Sequence, residues 1–125
     1  MQPPPPPVVL IVDPKTDRAT RTAGTLGDAC RVEHVRTGAE ALARVQEAPA
    51  PRVVVIESEP ADILSGELAR RIRLATHKES RPRTVVRGES RYPTAAFHDC
   101  DAYIAQDGAL GTAIAAFTVR LLAAA

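Results

Sequence analysis

Two unbroken apolar runs stand out along the chain, Val8-Val9-Leu10-Ile11-Val12 and Val53-Val54-Val55-Ile56. Neither alternates with polar residues. A run of this kind suits a strand covered on both faces, as in the middle of a parallel sheet. Each run stops at a carboxylate, Asp13 in the first case and Glu57 in the second. The second strand is taken as 52–57, with Arg52 at its start. Arg31-Val32-Glu33-His34-Val35 alternates and reads as a half-exposed edge strand. Thr84-Val85-Val86-Arg87 and Ala102-Tyr103-Ile104-Ala105 read as shorter strands.

Helical spacing fills the gaps. Ala19, Ala23, Leu26 and Cys30 recur at helical intervals from Lys15 to Cys30, although Gly24 and Gly27 weaken that segment. Thr37-Gly38-Ala39-Glu40 has the form of a capping box and opens a helix through Gln46, with Ala39, Leu42 and Val45 facing inward. Pro49 and Pro51 end it. Ser65 is placed to cap a helix in which Leu68, Ile72 and Ala75 share a face, with Arg70, Arg71 and Arg73 toward solvent. Pro93–Phe97 suits a short helix started by proline. Leu110, Ile114, Phe117 and Leu121 form the stripe of a last helix. Strand and helix thus alternate along the chain. That order predicts an α/β fold, a five-stranded parallel sheet with helices on both faces.

Pro3–Pro7 precede this pattern. They cannot donate to a sheet and form a polyproline II tail, so the chain divides into a tail over 1–7 and one domain over 8–125. With 125 residues, 45% of them apolar, a single core is feasible. Only Tyr92, Phe97, Tyr103 and Phe117 are aromatic, so the core must be aliphatic. A net charge of +1 gives no reason to expect a nucleic-acid partner. No apolar run reaches membrane-spanning length. The proline run stands where a secretory signal would need a basic region, and Cys30 and Cys100 have no paired spacing. Both are expected to be reduced, in a cytoplasmic protein.

In a parallel sheet the C-terminal ends of the strands share one edge, where open α/β folds place their chemistry. Asp13, Glu57, Arg87 and Gln106 end four of the strands and are expected to meet there. His34, His77 and His98 have no metal-ligand spacing and are read as surface residues. Glu59 and Asp62 are loop acids beside the crevice. No histidine is placed to activate Ser58, and no glycine-rich phosphate loop follows the first strand.

Val9-Leu10-Ile11-Val12-Asp13, Thr37-Gly38-Ala39-Glu40-Ala41-Leu42, Pro51–Glu57, Pro60 with Gly66, and Asp101-Ala102-Tyr103-Ile104 resemble the receiver domain of bacterial response regulators. The resemblance covers about 8–125. It implies the flavodoxin-like strand order 2-1-3-4-5 and a role in two-component signalling and phosphorelay. It places Glu57 at the phospho-acceptor position, Asp13 in the acidic pocket and Tyr103 at the aromatic switch.

The departures point to a degenerate receiver. The family has two adjacent acids after the first strand, whereas here Asp13 is followed by Pro14. Glu57 replaces the acceptor aspartate. Arg87 replaces the switch hydroxyl, and Gln106 replaces the lysine, with Asp107 where proline is usual. The loop between Pro60 and Gly66 is two residues longer, and the segment around 90–99 looks shortened. Fewer oxygen ligands suit magnesium poorly. A carboxylate displaced by one bond, about 1.5 Å, misplaces the nucleophile. The expectation is a non-enzymatic protein-interaction module without phosphorylation control. Mg2+ would bind at most weakly, at Asp13 and Glu57. Two readings of Arg87 stand side by side: it bridges those two carboxylates in place of the metal, or it points to solvent. Partners would bind the face of the fifth strand and last helix, whose Ala-rich side (Ala109, Ala113, Ala115, Ala116) could also pair two copies. The alternative is a receiver still controlled by phosphorylation or metal at Asp13 and Glu57.

Overall fold

A computed structural model of the chain describes residues 5–57, 60, 62–87, 100–104, 118, 120, 122 and 123. The elements in order are β1 (Val8–Val12), α1 (Thr16–Leu26), a 3-10 turn (Gly27–Ala29), β2 (Arg31–Val35), α2 (Gly38–Arg44), β3 (Val53–Glu57), α3 (Ser65–Ala75), β4 (Arg83–Arg87) and β5 (Ala102–Ile104). Thr118, Arg120, Leu122 and Ala123 are also helical.

The sheet has five strands in the order β2-β1-β3-β4-β5, and every pairing is parallel. The two apolar runs form β1 and β3, neighbours inside the sheet, and all ten residues of these strands, Glu57 included, are buried. β2 lies at an edge and is only half-covered. Because side chains alternate across a strand, each run feeds two cores. Leu10, Val12, Val54, Ile56 and Val86 pack with Ala41, Val45, Leu68, Ala69 and Ile72 of the α2 and α3 segments. Val9, Ile11, Val53, Val55 and Val85 pack with Ala19, Leu26 and Cys30, on the α1 side. Leu122 packs on that same side. The strand order is that of the flavodoxin-like fold, with helices on both faces.

Local signals held where they had a mechanism. The Thr37 hydroxyl accepts from the Glu40 N–H at 3.1 Å, which is the N-cap half of the capping box, and donates to the Glu40 carboxylate at 3.0 Å, so that carboxylate meets the Thr37 hydroxyl. Helix phase was less well read. In α2 the buried alanine is Ala41, while Ala39 is exposed; in α3 it is Ala69, while Ala75 is exposed. The helical residues facing a flat sheet follow a stripe that includes neighbours at three and four, and an alanine alone does not fix its centre. α2 ends at Arg44 rather than Gln46. Ser65 is the first helical residue of α3, buried and not the cap. α1 stops at Gly27, whose φ of 68° is the left-handed backbone that glycine adopts readily.

Candidate functional site at the carboxyl edge

Period two along the strands decides the site. Val9 and Ile11 face α1, so Asp13, two residues further on, projects to the same side. Val53 and Val55 place Glu57 there too, and Val85 does the same for Arg87. Glu57 and Arg87 are register neighbours on adjacent strands. The three polar residues therefore stand over the first turns of α1. Asp13 and Glu57 are both 0% exposed.

α1 supplies what they need. The Arg18 guanidinium clamps Asp13 as a fork, Nε to Oδ2 at 2.6 Å and a terminal nitrogen to Oδ1 at 2.6 Å. The same Nε lies 3.3 Å from Glu57 Oε2. Thr22, one turn along α1, donates its hydroxyl to Glu57 Oε1 at 2.6 Å. Arg87 reaches Glu57 Oε2 at a longer 3.4 Å. The backbone N–H of Lys15 donates to Asp13 Oδ1 at 2.8 Å. Two adjacent buried carboxylates are thus held by one guanidinium that spans both, a hydroxyl, a backbone amide and a second guanidinium. Among the described residues no buried side-chain nitrogen or oxygen lacks a partner.

The charges respond accordingly. Burial, the largest effect, pushes the Glu57 carboxyl above the usual carboxylate range. The neighbouring Asp13 adds to this, while Thr22 and Arg87 oppose it. Hydrogen bonding to Asp13 pushes Arg18 further up.

The expected bridge between the carboxylates exists, but its cation is Arg18, not Arg87. Arg87 comes in from the next strand and supports Glu57 alone in this pair. The sequence carried the signal for Arg18. It lies five residues after Asp13 and one position before the buried Ala19, hence at the margin of the face that α1 turns to the sheet. Thr22 is another residue the sequence reading passed over. It is 1% exposed, and it lies four after Arg18, one turn along the same face.

Other candidates sort differently. Asp62 faces the start of α2. Its carboxylate accepts from the N–H groups of Gly38 and Ala39 at 2.9 and 3.0 Å, which holds its pKa down. This pins the loop after β3 to the start of α2. A side chain at position 38 would run into Ile63. His34 is half-buried rather than a surface residue, with Nε2 2.8 Å from the Asp13 carbonyl oxygen; the tautomer protonated there donates. His77 is exposed. Tyr103 is half-buried and packs on the α2–α3 core. Cys30 is buried and Cys100 half-buried, and neither is in a disulfide. Gln106, Ser58, Glu59, His98, the 93–97 segment and the stripe from Leu110 to Leu121 lie outside the described residues. Among the described residues no helix is long and apolar enough to cross a membrane, and no three His, Cys, Asp or Glu side chains cluster as a metal site.

No family profile matches the chain, and no curated protein matches it by sequence. Solved structures do match it in shape. The phosphorylated cyanobacterial phytochrome response regulator RcpA superposes with a TM-score of 0.80 at 17% identity, over 96% of each chain. A putative response regulator from Chloroflexus aurantiacus gives 0.76 at 21%, over 94% of this chain and 98% of that one. The chemotaxis response regulator CheY4 of Vibrio cholerae gives 0.75 at 19%, over 94% and 98%. At these identities the likeness is one of fold, and in fold the chain is similar to the receiver domains of response regulators.

Proposed function

We propose that the chain is a degenerate receiver domain of bacterial two-component signalling, in which Arg18 takes the place of the metal and closes the phosphorylation site. The observation that carries this reading is the Arg18 fork on Asp13 with its Nε 3.3 Å from Glu57. A fixed positive charge between the two carboxylates, with Arg87 adding a second at Glu57, takes over the charge compensation of a divalent ion without an exchangeable ligand shell. The donor set does not fit magnesium. Pro14 offers no side-chain oxygen, Asp13 presents both of its oxygens to donors, and Glu57 is turned toward Thr22, Arg18 and Arg87. A carboxylate that accepts from this many donors is also a poor nucleophile, because attack would strip those hydrogen bonds from a buried charge. The domain then acts without catalysis, as a cytoplasmic interaction module whose partner proteins bind the face of β5 and the last helix.

An amide NMR titration with Mg2+ and then beryllium fluoride, a phosphoryl mimic, tests this. The wild type should show no saturable shifts at residues 13, 18 and 57. Saturable shifts there, spreading to Tyr103, would mean that phosphorylation or metal control survives and would overturn the reading.

A further inference from the structure

Beside the closed carboxylate pair lies an open crevice of about 420 Å³ lined by Pro14, Lys15, Thr16, Asp17, Arg18, Arg21 and Arg36. We propose that this crevice binds a multiply charged phosphate group.

Four cations from two separate segments converge on it, three from the start of α1 and one from the loop after β2. Lys15, Arg21 and Arg36 are exposed. Among the described residues neither the Lys15 ammonium nor the Arg21 guanidinium meets a carboxylate, and Arg36 donates to the Pro14 carbonyl at 3.1 Å. Arg18 is anchored on Asp13, yet its side chain keeps 24% of its surface open. One acid, Asp17, stands among them. Three cations without carboxylate partners in one concavity repel each other, and an anion relieves that repulsion. The guanidinium forks match tetrahedral phosphate oxygens better than a single point charge does. A singly charged carboxylate would gain little against Asp17 and the buried pair behind Arg18, so the fitting ligand carries two or more negative charges.

The site is distinct from the one a receiver uses. The ligand would sit on the α1 side of Arg18 and meet cations, with no metal needed. Its binding therefore stands or falls separately from the closure of the Asp13–Glu57 pair.

The experiment is a calorimetric and amide NMR titration of the full chain with pyrophosphate, in EDTA, so that no metal-mediated binding at the carboxylates contributes. Inorganic phosphate and adenosine diphosphate are titrated in parallel, and sulfate at matched ionic strength serves as the control. Saturable pyrophosphate binding with shifts at residues 15–21 and 36 is expected, with phosphate weaker. Adenosine diphosphate binding as tightly as pyrophosphate would assign the affinity to the phosphates; binding well above it would still place the phosphates here and add a nucleoside contact. Lys15→Ala with Arg21→Ala should weaken binding by about tenfold or more, since each removes a charged donor. These positions are on the surface, and an unchanged melting curve would show that the variant is folded; Arg21→Glu gives an independent charge reversal. Titration curves that never saturate, or that match those for sulfate, overturn the proposal. So does a double variant that binds like the wild type.

Discussion

Two arginines in this molecule grip a carboxylate in nearly the same way. Arg18 holds Asp13 through Nε at 2.6 Å, and Arg44 holds Glu33 through Nε at 2.6 Å with a second nitrogen at 3.2 Å. Arg44 also donates to the carbonyls of Glu47 and Pro49 and so ties α2 and the following turn to the edge strand. The surroundings differ. Glu33 keeps 26% of its side chain in solvent, whereas Asp13 has none and has a second buried carboxylate beside it. The geometry of a salt bridge therefore says little by itself. Burial of the partner and the presence of Glu57 decide what each arginine is needed for.

The sharpest way to break the comparison is to remove each arginine. Arg18→Ala leaves two buried acids with a shared negative field and only Thr22, Arg87 and a backbone amide to hold them. The expected loss is about 3 kcal/mol, the lower end for a broken buried pair, because water can enter through the exposed edge of Arg18. For a chain of this size that is roughly 10 °C in Tm. Arg44→Ala should cost about 1 kcal/mol, since Glu33 can turn to water. Thermal or urea denaturation of the two variants side by side checks this. Equal losses would mean that the two sites are energetically alike and that the burial of Asp13 and Glu57 carries no special weight.

A gentler probe uses the sign of the pH response. Glu57 is raised by burial, so the folded state keeps its proton longer than the unfolded chain does. Its contribution is fully present below the ordinary carboxylate pKa and is lost as pH rises through the higher folded value. Glu33 is lowered, chiefly by the hydrogen bond from Arg44, so its contribution is present above the ordinary value and is lost as pH falls through the depressed one. The Tm difference between wild type and Glu57→Gln should therefore fall as pH rises from about 4 toward neutrality. The difference between wild type and Glu33→Gln should rise from acid pH to about 4 and then level off. Glu57→Gln also exchanges one accepting oxygen for a donating amide N–H, so its mean stability shifts as well. The slope, not the offset, carries the test. Parallel slopes for the two variants would contradict the contrast.

The sequence made the fold legible because the residues that fix it are consecutive. Val8–Val12 and Val53–Ile56 have no polar residue to expose, so both faces had to be covered, and a doubly wound parallel sheet follows. The carboxylates at their ends were legible for the same reason, since chain order and strand direction put Asp13 and Glu57 on one edge. Which cation meets them was not. Arg87 looked suitable because it ends the next strand. Choosing Arg18 needs the rotation of α1 about its axis, and that depends on how Ala19, Thr22 and Leu26 seat against Val9, Ile11 and Val55. A threonine on an apolar helix face reads as a tolerated polar residue until a partner 35 positions away is in place. Helix phase, not element type, was the missing quantity, and the misplacement of Ala39 and Ala75 has the same origin.

The smallest expected effect decides between the two arginines at the site. Arg87 touches Glu57 at 3.4 Å, beyond the usual length for a charged N–H to a carboxylate, and its side chain is 13% exposed. Glu57 keeps Thr22 at 2.6 Å and Arg18 at 3.3 Å when Arg87 is removed. Arg87→Thr places a hydroxyl at the end of β4 and gives up this long contact to Glu57, so the support lost at Glu57 should stay below about 1 kcal/mol. If Arg87 were instead the cation on which both carboxylates depend, its removal would cost as much as Arg18→Ala, and the two single variants would not be separable. In the double variant the losses should exceed their sum, because Glu57 then keeps only the Thr22 hydroxyl and its charge is left buried beside Asp13. A merely additive double variant would mean that the two guanidinia act on Glu57 independently, and that Arg18 works through Asp13 alone.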